Sequence, residues 1–585
     1  MWLFRLIAAL SVAASGAEAQ DFGGALDVAL AVGAEDDHVT AGRPFRITAD
    51  LKDPETGQPV EDAHLSGWIR PVAASNSDCS DAARGYFVNQ GALPRGETDL
   101  GRSLYGVLHE DGNLSVVDWE HALASANIRA MLPVPEGVTD ISALPDAFAF
   151  GLTAEDGAWQ VPASENARSV PLAASISEIT ANGWLVHRDG KIVAPSGEGW
   201  LAPEGAVQVR PALPDEDARD RGVIVLGNGR ADLFRQGAAP QTFASPDGAR
   251  DVGHSHVAEA ALFVDGSDSL WMSYGASPPF KVPLAAPAER VSVAPDGRLA
   301  LTWSPASRAV SVVEIATASV VQGIELNRAP MNQPVREVAF AGTAAFLLLE
   351  QLDFVMVVSL DRARRGQPAA VRAVRLGPPV TDLPDGAGPF LLESRRGHDA
   401  GAVLALHPDL STAFPVSQDS GNATAPMNGF RIRGARPIGF AELNVALDEV
   451  APGQYAAATV LEQGGRYELI VSGGPGSFTS CAQFDVEGPT VERLDLRLYA
   501  QMSGDGVELL LLAGDGTRQK WPGALPVVMQ ALESGWRGHA VTRPISAKRH
   551  LIEAAGLPPG QVSIALDMVL PEGLEITPAT LEVPQ

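Results

Sequence analysis

The chain has 585 residues and a formal net charge of −28 at pH 7, and it contains 59 Gly, 44 Pro and two Cys. A chain of this length can fold as roughly two to four domains with substantial cores. The strong negative charge argues against nucleic acid or an anionic membrane surface as a partner, because both would repel the chain.

The first residues, MWLFRLIAALSVAASGAEAQ, predict a secretory signal peptide at residues 1–19. Arg5 precedes an apolar run, and the small residues Ala17 and Ala19 stand just before a cleavage point at Gln20. We therefore expect an exported protein, periplasmic or secreted. No later segment reaches the roughly 18 apolar residues that cross a bilayer, so no integral membrane span is predicted.

Strand-like segments alternate with turn-forming dipeptides along the rest of the chain, which predicts an all-β fold. In residues 38–72, two or three strands flank the turn PETGQPV. We predict that residues 20–100 form the N-terminal part of a β-sandwich. Trp68, in the strand GWIRP, is then a core residue of that sandwich.

A repeated unit fills the middle of the chain. Residues 290–326 contain a strand, an Asp-Gly turn, a second strand and two further alternating segments, which is most of a four-stranded antiparallel sheet. Residues 105–134 and 344–377 repeat this pattern. Together with weaker copies they give a spacing of about 35 to 45 residues, typical of propeller blades. We therefore predict a β-propeller of seven or eight blades over residues 101–425.

Strands resume after the propeller. Residues 453–487 alternate around a Gly-Gly turn. Residues 426–488 are predicted to complete the N-terminal sandwich, because each half alone is shorter than the roughly 100 residues that a sandwich needs. Two separate sandwiches, one on each side of the propeller, are the alternative. Residues 489–585 alternate again and predict a C-terminal β-sandwich.

The two cysteines, Cys79 and Cys481, stand on opposite sides of the propeller. In an oxidising compartment, a widely separated pair is most simply a disulfide. Such a bond would tie the two ends of the propeller together.

Two parts of the sequence resemble known families. VSVAPDG, followed by VSVVEIATASVVQGIEL, resembles the YVTN-type β-propellers, which are related to the haem-binding propeller of dissimilatory nitrite reductases. The TG-P-V turn and the two Gly-x-Tyr strands resemble a YtkA/FixH-like immunoglobulin-type sandwich. The first resemblance implies a propeller whose channel can hold a cofactor. The second implies a connection with copper handling and oxidase assembly.

Two stretches of the propeller share an outline: RDVGHSHVAEAALFVD at 250–265 and RRGHDAGAVLALHPD at 395–409. In each stretch a Gly-His pair, containing His254 or His398, stands at the same distance before an Asp. We interpret the two stretches as matching loops of two blades that open at one end of the central channel.

These stretches supply the candidate binding residues. Neutral imidazole binds borderline and soft metal ions, and arginine binds carboxylates through paired hydrogen bonds. The predicted metal ligands are His254, His256 and His398, and the predicted cofactor-binding residues are Arg250, Arg395 and Arg396. His256 is included because His-x-His in a strand puts both rings on one face. The bound group would be copper, zinc or a haem-like tetrapyrrole. Alternatively, backbone carbonyls satisfy each imidazole.

Two other histidines, His109 and His407, stand just before acidic turn residues. We interpret both as solvated turn residues.

Two functions are compatible with this sequence. The first is a non-enzymatic binding or scaffold protein that recruits a periplasmic protein partner and supports metal handling or respiratory redox enzymes. The second is a redox or cofactor-processing protein that holds a metal or tetrapyrrole at the propeller channel. The sequence lacks Cys-x-x-Cys-His, which excludes covalent c-type haem, and it lacks the common hydrolase, phosphate-loop and zinc-protease motifs. These absences favour the first function.

Overall fold

A computed structural model describes most of the chain, which forms two compact units, residues 1–487 and 488–585. The predicted signal peptide, residues 1–19, lies outside the described residues. No helix of the described part is long and apolar enough to span a membrane. The described ranges are 26–33, 38–72, 78–88, 93, 97–118, 128–164, 167–212, 222–326, 332–394, 401–420, 429–474, 477–488, 494–503, 506–513, 517–520, 523–531, 536–553, 556–566 and 574–583.

Eight four-stranded antiparallel sheets occupy the described part of residues 103–444, and they form the blades of a β-propeller. In blades 2 to 8 the strands follow one another in sequence from the innermost to the outermost position. Their bounds are, in blade 2, Asp140–Leu144, Ala149–Ala154, Gly157–Pro162 and Val170–Pro171; in blade 3, Ile176–Ile179, Leu185–His187, Lys191–Val193 and Gly199–Leu201; in blade 4, Gln208–Ala212, Gly222–Leu226, Arg230–Phe234 and Gln241–Ala244; in blade 5, Asp251–Ser255, Ala260–Val264, Ser269–Tyr274 and Phe280–Pro283; in blade 6, Arg290–Val293, Leu299–Trp303, Ala309–Glu314 and Ser319–Glu325; in blade 7, Val335–Ala341, Ala344–Leu349, Phe354–Ser359 and Val371–Arg375; and in blade 8, Leu391–Ser394, Ala402–His407, Thr412–Ser417 and Phe430–Arg431.

Blade 1 joins the two ends of the propeller. Its outer three strands are Ser103–His109, Asn113–Asp118 and Ile128–Pro133, and its innermost strand is Pro437–Asn444. The propeller thus extends past residue 425, where its end was predicted. The physical reason is that a sheet with strands from both ends of the chain joins the first and last blades and so closes the ring.

In most blades the second strand lies deepest in apolar surroundings, whereas the second strand of blade 3, Leu185–His187, is only partly buried. Ala260–Val264, Leu299–Trp303 and Ala344–Leu349 are buried along their whole length. Both faces of such a strand are covered, so apolar residues run continuously instead of alternating. Residues 290–326 form blade 6, as the repeat predicted.

Two further four-stranded sheets combine segments from before and after the propeller. Phe45, Ile47, Tyr455 and Leu469 belong to the apolar core that these sheets share. The strand orders are Asp27–Gly33, Phe45–Lys52, Gln454–Thr459, Asp448–Ala451 in one sheet and Thr98–Asp99, Ser66–Pro71, Gly465–Ser472, Thr479–Val486 in the other. The propeller residues therefore lie between two segments that pair with each other.

Helix α1, Cys79–Val88, lies against the second of these sheets. Its first residue forms a disulfide with Cys481, which confirms the predicted bond. Trp68 is 1% exposed and stacks on Tyr86 of α1, with ring centroids 4.5 Å apart. It is buried, as expected, but it packs against α1 and does not belong to the core that the two sheets share.

Residues 488–585 contain two sheets around a core of their own, which includes Leu498, Leu509, Val527 and Ile564. The strand orders are Arg543–Ser546, Arg549–Glu553, Gly506–Ala513, Leu494–Ser503, Leu574–Thr577 in one sheet and Arg537–Val541, Pro526–Ala531, Gly560–Leu566, Ala579–Val583 in the other. The propeller also contains short helical segments. These are helix α2, Leu360–Arg364, and the 3-10 turns Pro145–Ala147 and Pro408–Leu410.

Candidate binding site in the propeller

Charged side chains of the innermost strands join neighbouring blades. Arg210 of blade 4 donates from Nε to Asp251 of blade 5 at 2.9 Å, and the second oxygen of Asp251 accepts the backbone N–H of Val291 in blade 6 at 3.1 Å. Burial raises the pKa of Asp251, and the positive charge of Arg210 opposes this rise. One carboxylate thus connects three blades.

Glu337 makes a similar connection between blades 7 and 8. Its carboxylate accepts the backbone N–H groups of Phe390 and Leu391 at 2.9 and 2.8 Å. Burial nevertheless raises the pKa of Glu337 to about 7. These groups were not singled out from the sequence, although a charged residue inside an otherwise apolar first strand, as in VREVAFA, is a visible signal.

A polar cavity of about 350 Å³ lies beside the connector between blades 7 and 8. Arg336, Glu350 and Asp382 are among the residues that line it. Arg336 donates to the carbonyl oxygen of Ala387 at 2.8 Å and to Glu350 at 3.3 Å. Arg336 therefore binds the connector between blades 7 and 8 through the carbonyl oxygen of Ala387.

His254 lies in the innermost strand of blade 5, not in a loop as expected. The glycine before it has a packing role, because a Cβ at Gly253 would lie 2.9 Å from the side chain of Val293 in blade 6. His254 is 5% exposed and packs on Phe243 of blade 4, with ring centroids 5.7 Å apart. Its Nε2 is buried, and neither ring nitrogen forms a hydrogen bond with a described residue.

The second histidine, His256, follows the strand end in the turn to the next strand. Its ring lies against Gly297 of blade 6, about 3.1 Å from where a Cβ would stand, and its Nδ1 is also buried without a hydrogen-bond partner among the residues that the structure describes. The expectation that both rings lie on one strand face is therefore wrong, because the strand ends at Ser255. The two rings contact blades on opposite sides of blade 5.

Arg235, and not the predicted Arg250, is the arginine whose charge acts on His254. Arg250 is exposed and pairs with Glu289 at 3.6 Å, whereas Arg235 of blade 4 lies close enough to lower the pKa of His254 electrostatically. Arg395, Arg396 and His398 lie outside the described residues. Within the described ranges, no group of three or more His, Cys, Asp or Glu is arranged to hold a metal ion. The role of His398 stays a prediction.

The interpretation of His109 and His407 as solvated turn residues is wrong, since they are 1% and 0% exposed. Each ends the second strand of its blade and binds the segment that enters that blade. His109 Nδ1 lies 2.8 Å from the carbonyl oxygen of Ala435, and His407 Nε2 lies 2.9 Å from that of Pro378. Burial lowers the pKa of both imidazoles.

His187 holds the corresponding position in blade 3, where its Nδ1 lies 2.8 Å from the hydroxyl of Ser175. All three histidines are followed two residues later by an Asp, in HED, HRD and HPD. The His-x-Asp pattern thus repeats in three blades and is visible in the sequence. Its histidine ends a strand in each blade and binds the segment that leads into that blade.

The unfolding free energy should depend on pH through His254. Burial, followed by the charges of Arg235 and His256, lowers the pKa of His254 from 6.5 to about 4. Above pH 6.5 the imidazole is neutral in both states, and between pH 6.5 and about 4 only the unfolded chain takes up the proton. We therefore expect this window to remove about 3 kcal/mol of stability as the pH falls.

Urea unfolding near neutral pH and at about pH 4.5 measures this loss. Replacing His254→Gln removes the titrating group, so the variant should lose less stability than the wild type over the same pH interval. Equal losses in the two proteins would contradict a depressed pKa at His254. His109→Gln is not a suitable control, because the pKa of that buried imidazole is lowered as well.

Comparisons with known proteins give similarities to solved structures only. No protein-family description matches the sequence, and no curated protein matches it. Dihydro-heme d1 dehydrogenase NirN in complex with DHE is similar with a TM-score of 0.42 and 13% identity over 66% of this chain and 80% of that chain. Apo AztD from Citrobacter koseri has a TM-score of 0.40 and 12% identity over 58% and 97%. Hsv2 from Kluyveromyces lactis has a TM-score of 0.35 and 8% identity over 51% and 99%.

Proposed function

We propose that this protein is an exported, non-enzymatic binding protein whose propeller holds a copper ion at His254, with His256 as a second ligand once its ring turns away from Gly297. Export is supported by the predicted signal peptide and by the disulfide, since such bonds persist in oxidising compartments. In this proposal the bound metal is passed to, or shared with, a periplasmic protein partner.

One observation carries the metal site: His254 is almost fully buried, yet its ring nitrogens have no hydrogen-bond partner among the described residues. Leaving such a group unsatisfied costs roughly 1–3 kcal/mol, and a bound ligand removes this cost. The low pKa keeps the imidazole neutral at physiological pH, and neutral imidazole is the form that binds a metal. His256, two residues along the chain, has a buried Nδ1 without a hydrogen-bond partner among the described residues, and it is the candidate for another ligand.

The surroundings favour one of the predicted metals. Imidazole nitrogen suits both copper and zinc. The positive charge of Arg235 beside His254 opposes a divalent ion more strongly than a monovalent one. Copper(I) therefore fits these residues better than zinc.

The test is a titration of the metal-free mature protein with copper(I) against a coloured copper(I) chelator. Wild type should compete for about one ion per chain, and the His254→Ala, His256→Ala variant should lose at least about tenfold in affinity. His38→Ala, His64→Ala is the matched control, because both residues are exposed and the number of histidines removed is the same. Equal affinity in the two variants, or no binding by wild type, would refute the copper site.

A haem-like tetrapyrrole is the second candidate. Arg235 near the imidazole of His254 is also a favourable environment for a carboxylate, which such a cofactor carries. An absorption spectrum of protein purified from its own source distinguishes the two. A Soret-type band that disappears in the His254→Ala, His256→Ala variant would favour the tetrapyrrole over copper.

A further inference from the structure

The connector between blades 7 and 8 reaches further around the ring than a link between neighbouring blades requires. Its residues 380–390, which we call the strap, lead to Leu391, the first residue of blade 8. Gly388 of the strap forms a parallel backbone bridge with Asp140, which begins the innermost strand of blade 2. The strap therefore contacts a blade that lies two positions beyond the one into which it leads.

The strap also contacts the innermost strands of blades 7 and 1. Glu337 of blade 7 accepts the N–H groups of Phe390 and Leu391. The N–H of Phe440 in blade 1 donates to the carbonyl oxygen of Pro389 at 3.1 Å. All of these contacts fall within the first four residues of the innermost strands. Innermost strands surround the central channel of a propeller, so the strap lies at one end of this channel, against four of the eight blades.

Two neighbouring residues of blade 7 hold the end of the strap. Arg336 donates to the carbonyl oxygen of Ala387 at 2.8 Å, and its guanidinium group lies 5.2 Å from the ring centroid of Phe390. Glu337, the next residue, accepts the N–H of Phe390 at 2.9 Å. The attachment of the strap therefore depends on a carboxyl group, which can change its charge.

The middle of the strap is held less firmly than its ends. Residues 383–386 form no hydrogen bond with a described residue outside the strap, and they line the polar cavity of about 350 Å³ beside blade 7. The first residues stay attached, because Arg436 donates to the carbonyl oxygens of Thr381 and Asp382 at 2.9 and 3.0 Å. A segment with few contacts and an adjoining cavity separates from the fold at low cost. Release of residues 387–390 would therefore allow the strap to move.

We propose that the strap is a pH-dependent lid at one end of the propeller channel and that Glu337 controls it. In acid the neutral carboxyl group holds the strap closed, and as the pH rises Glu337 ionises and the strap opens the channel to solvent. The candidate copper residues lie toward the other end of the innermost strands, since His254 is the fourth of the five residues in Asp251–Ser255 and His256 follows this strand. Copper binding and strap opening are therefore separate properties.

The direction of the pH effect follows from the surroundings of Glu337. Burial raises its pKa to about 7, although the N–H groups of Phe390 and Leu391 and the charge of Arg336 oppose this rise. With the strap open, the carboxyl group is solvated and has its ordinary pKa of 4.5. Between pH 4.5 and 7 it is then ionised only when the strap is open, so proton binding favours the closed strap. The neutral group can still hold the strap, because one oxygen, Oε2, accepts both N–H groups.

Other charged groups surround Glu337 on blade 7, on the strap and on the blades that the strap contacts. Burial also raises the pKa of Asp140, so ionisation of this second carboxyl group opposes burial in the same direction. The groups are Arg336, Glu350, Glu393, Asp382, Asp385 and Asp140. Glu337 is the one among them that accepts N–H groups at the junction of the strap with blade 8.

The experiment is hydrogen–deuterium exchange of the full chain, read by mass spectrometry at pH 5 and pH 8 and corrected for the pH dependence of the intrinsic exchange rate. In wild type, the opening constant measured on peptides from residues 383–391 should rise on the order of 100-fold between these pH values. Peptides from the buried strand Ala344–Leu349 should show no such rise, because this strand does not contact Glu337 through the strap. A wild-type strap whose opening constant is the same at both pH values would overturn the proposal, whatever the variants do.

Glu337→Gln keeps an oxygen that accepts the two N–H groups but cannot ionise, so its strap should stay closed at both pH values and lose most of the pH dependence. Glu178→Gln is the matched control, because it removes a carboxyl group whose pKa is also raised by burial from an innermost strand in blade 3. This control should behave like wild type, and circular dichroism should show both variants folded. Full pH dependence in Glu337→Gln, or equal loss of it in the two variants, would contradict control by Glu337.

Discussion

Replacing Cys79→Ser and Cys481→Ser should lower the free energy of unfolding of the first unit by about 4 kcal/mol. The bond joins residues 402 positions apart and links helix α1 to the strand Thr479–Val486. Its two partners lie on segments that stand before and after the propeller residues in the chain. Without the bond, the unfolded chain regains the freedom to separate these segments, which is the source of the lost stability.

Urea unfolding followed by fluorescence is a direct measurement, since Trp68 lies beside α1 and stacks on Tyr86. Loss of the bond should also separate the unfolding of the two sheets that combine segments from before and after the propeller from the unfolding of the propeller itself. Wild type under reducing conditions is the control, and it should reproduce the midpoint of the double variant. An unchanged midpoint in both would contradict a stabilising role for the bond.

Gly439→Ala should destabilise the closed propeller by about 3 kcal/mol. Gly439 lies in the strand Pro437–Asn444, which completes blade 1. A Cβ at this position would overlap the carbonyl oxygen of Gly388 and lie 3.0 Å from its carbonyl carbon. Next to it, the N–H of Phe440 donates to the carbonyl oxygen of Pro389 at 3.1 Å, just before blade 8 begins. The obstacle is backbone and not a flexible side chain, so relief requires blades 1 and 8 to move apart.

The matched control for this substitution is Gly33→Ala, at the end of the strand Asp27–Gly33. No atom lies within 4 Å of a Cβ built at Gly33, so this variant should unfold like wild type. Urea unfolding of both variants measures the difference. A Gly439→Ala protein as stable as Gly33→Ala would show that the contact between blades 1 and 8 does not limit stability.

Local patterns predicted the repeat but not the neighbours of each side chain. In residues 290–326 the alternation and the Asp-Gly turn are sufficient to define four strands, and they form blade 6. The same alternation could not show that His254 faces Phe243 of blade 4 while His256 lies against Gly297 of blade 6. Contacts between blades depend on how whole sheets pack, and this information is not contained in the residues flanking a histidine.

The histidines at strand ends illustrate the same limit. An imidazole before an acidic turn has the sequence pattern of a solvated residue, and His407 would be one in an isolated hairpin. It is buried because the connector between blades 7 and 8 passes over it and supplies the carbonyl oxygen of Pro378. The His-x-Asp repeat was visible in the sequence, but its meaning depended on the path of a segment that is distant along the chain.

The sequence by itself determined the all-β class, the spacing of the blades and the pairing of Cys79 with Cys481. The class and the spacing follow from period-two alternation and turn residues, which act locally. The pairing follows from the number of cysteines, since two cysteines allow one combination only. The tertiary structure decided that Pro437–Asn444 pairs with Ser103–His109 to close the ring, and that His254 is buried without a hydrogen-bond partner in the described part of the chain. Both depend on segments far apart in sequence, because a strand pattern specifies that a strand forms but not which strand becomes its neighbour.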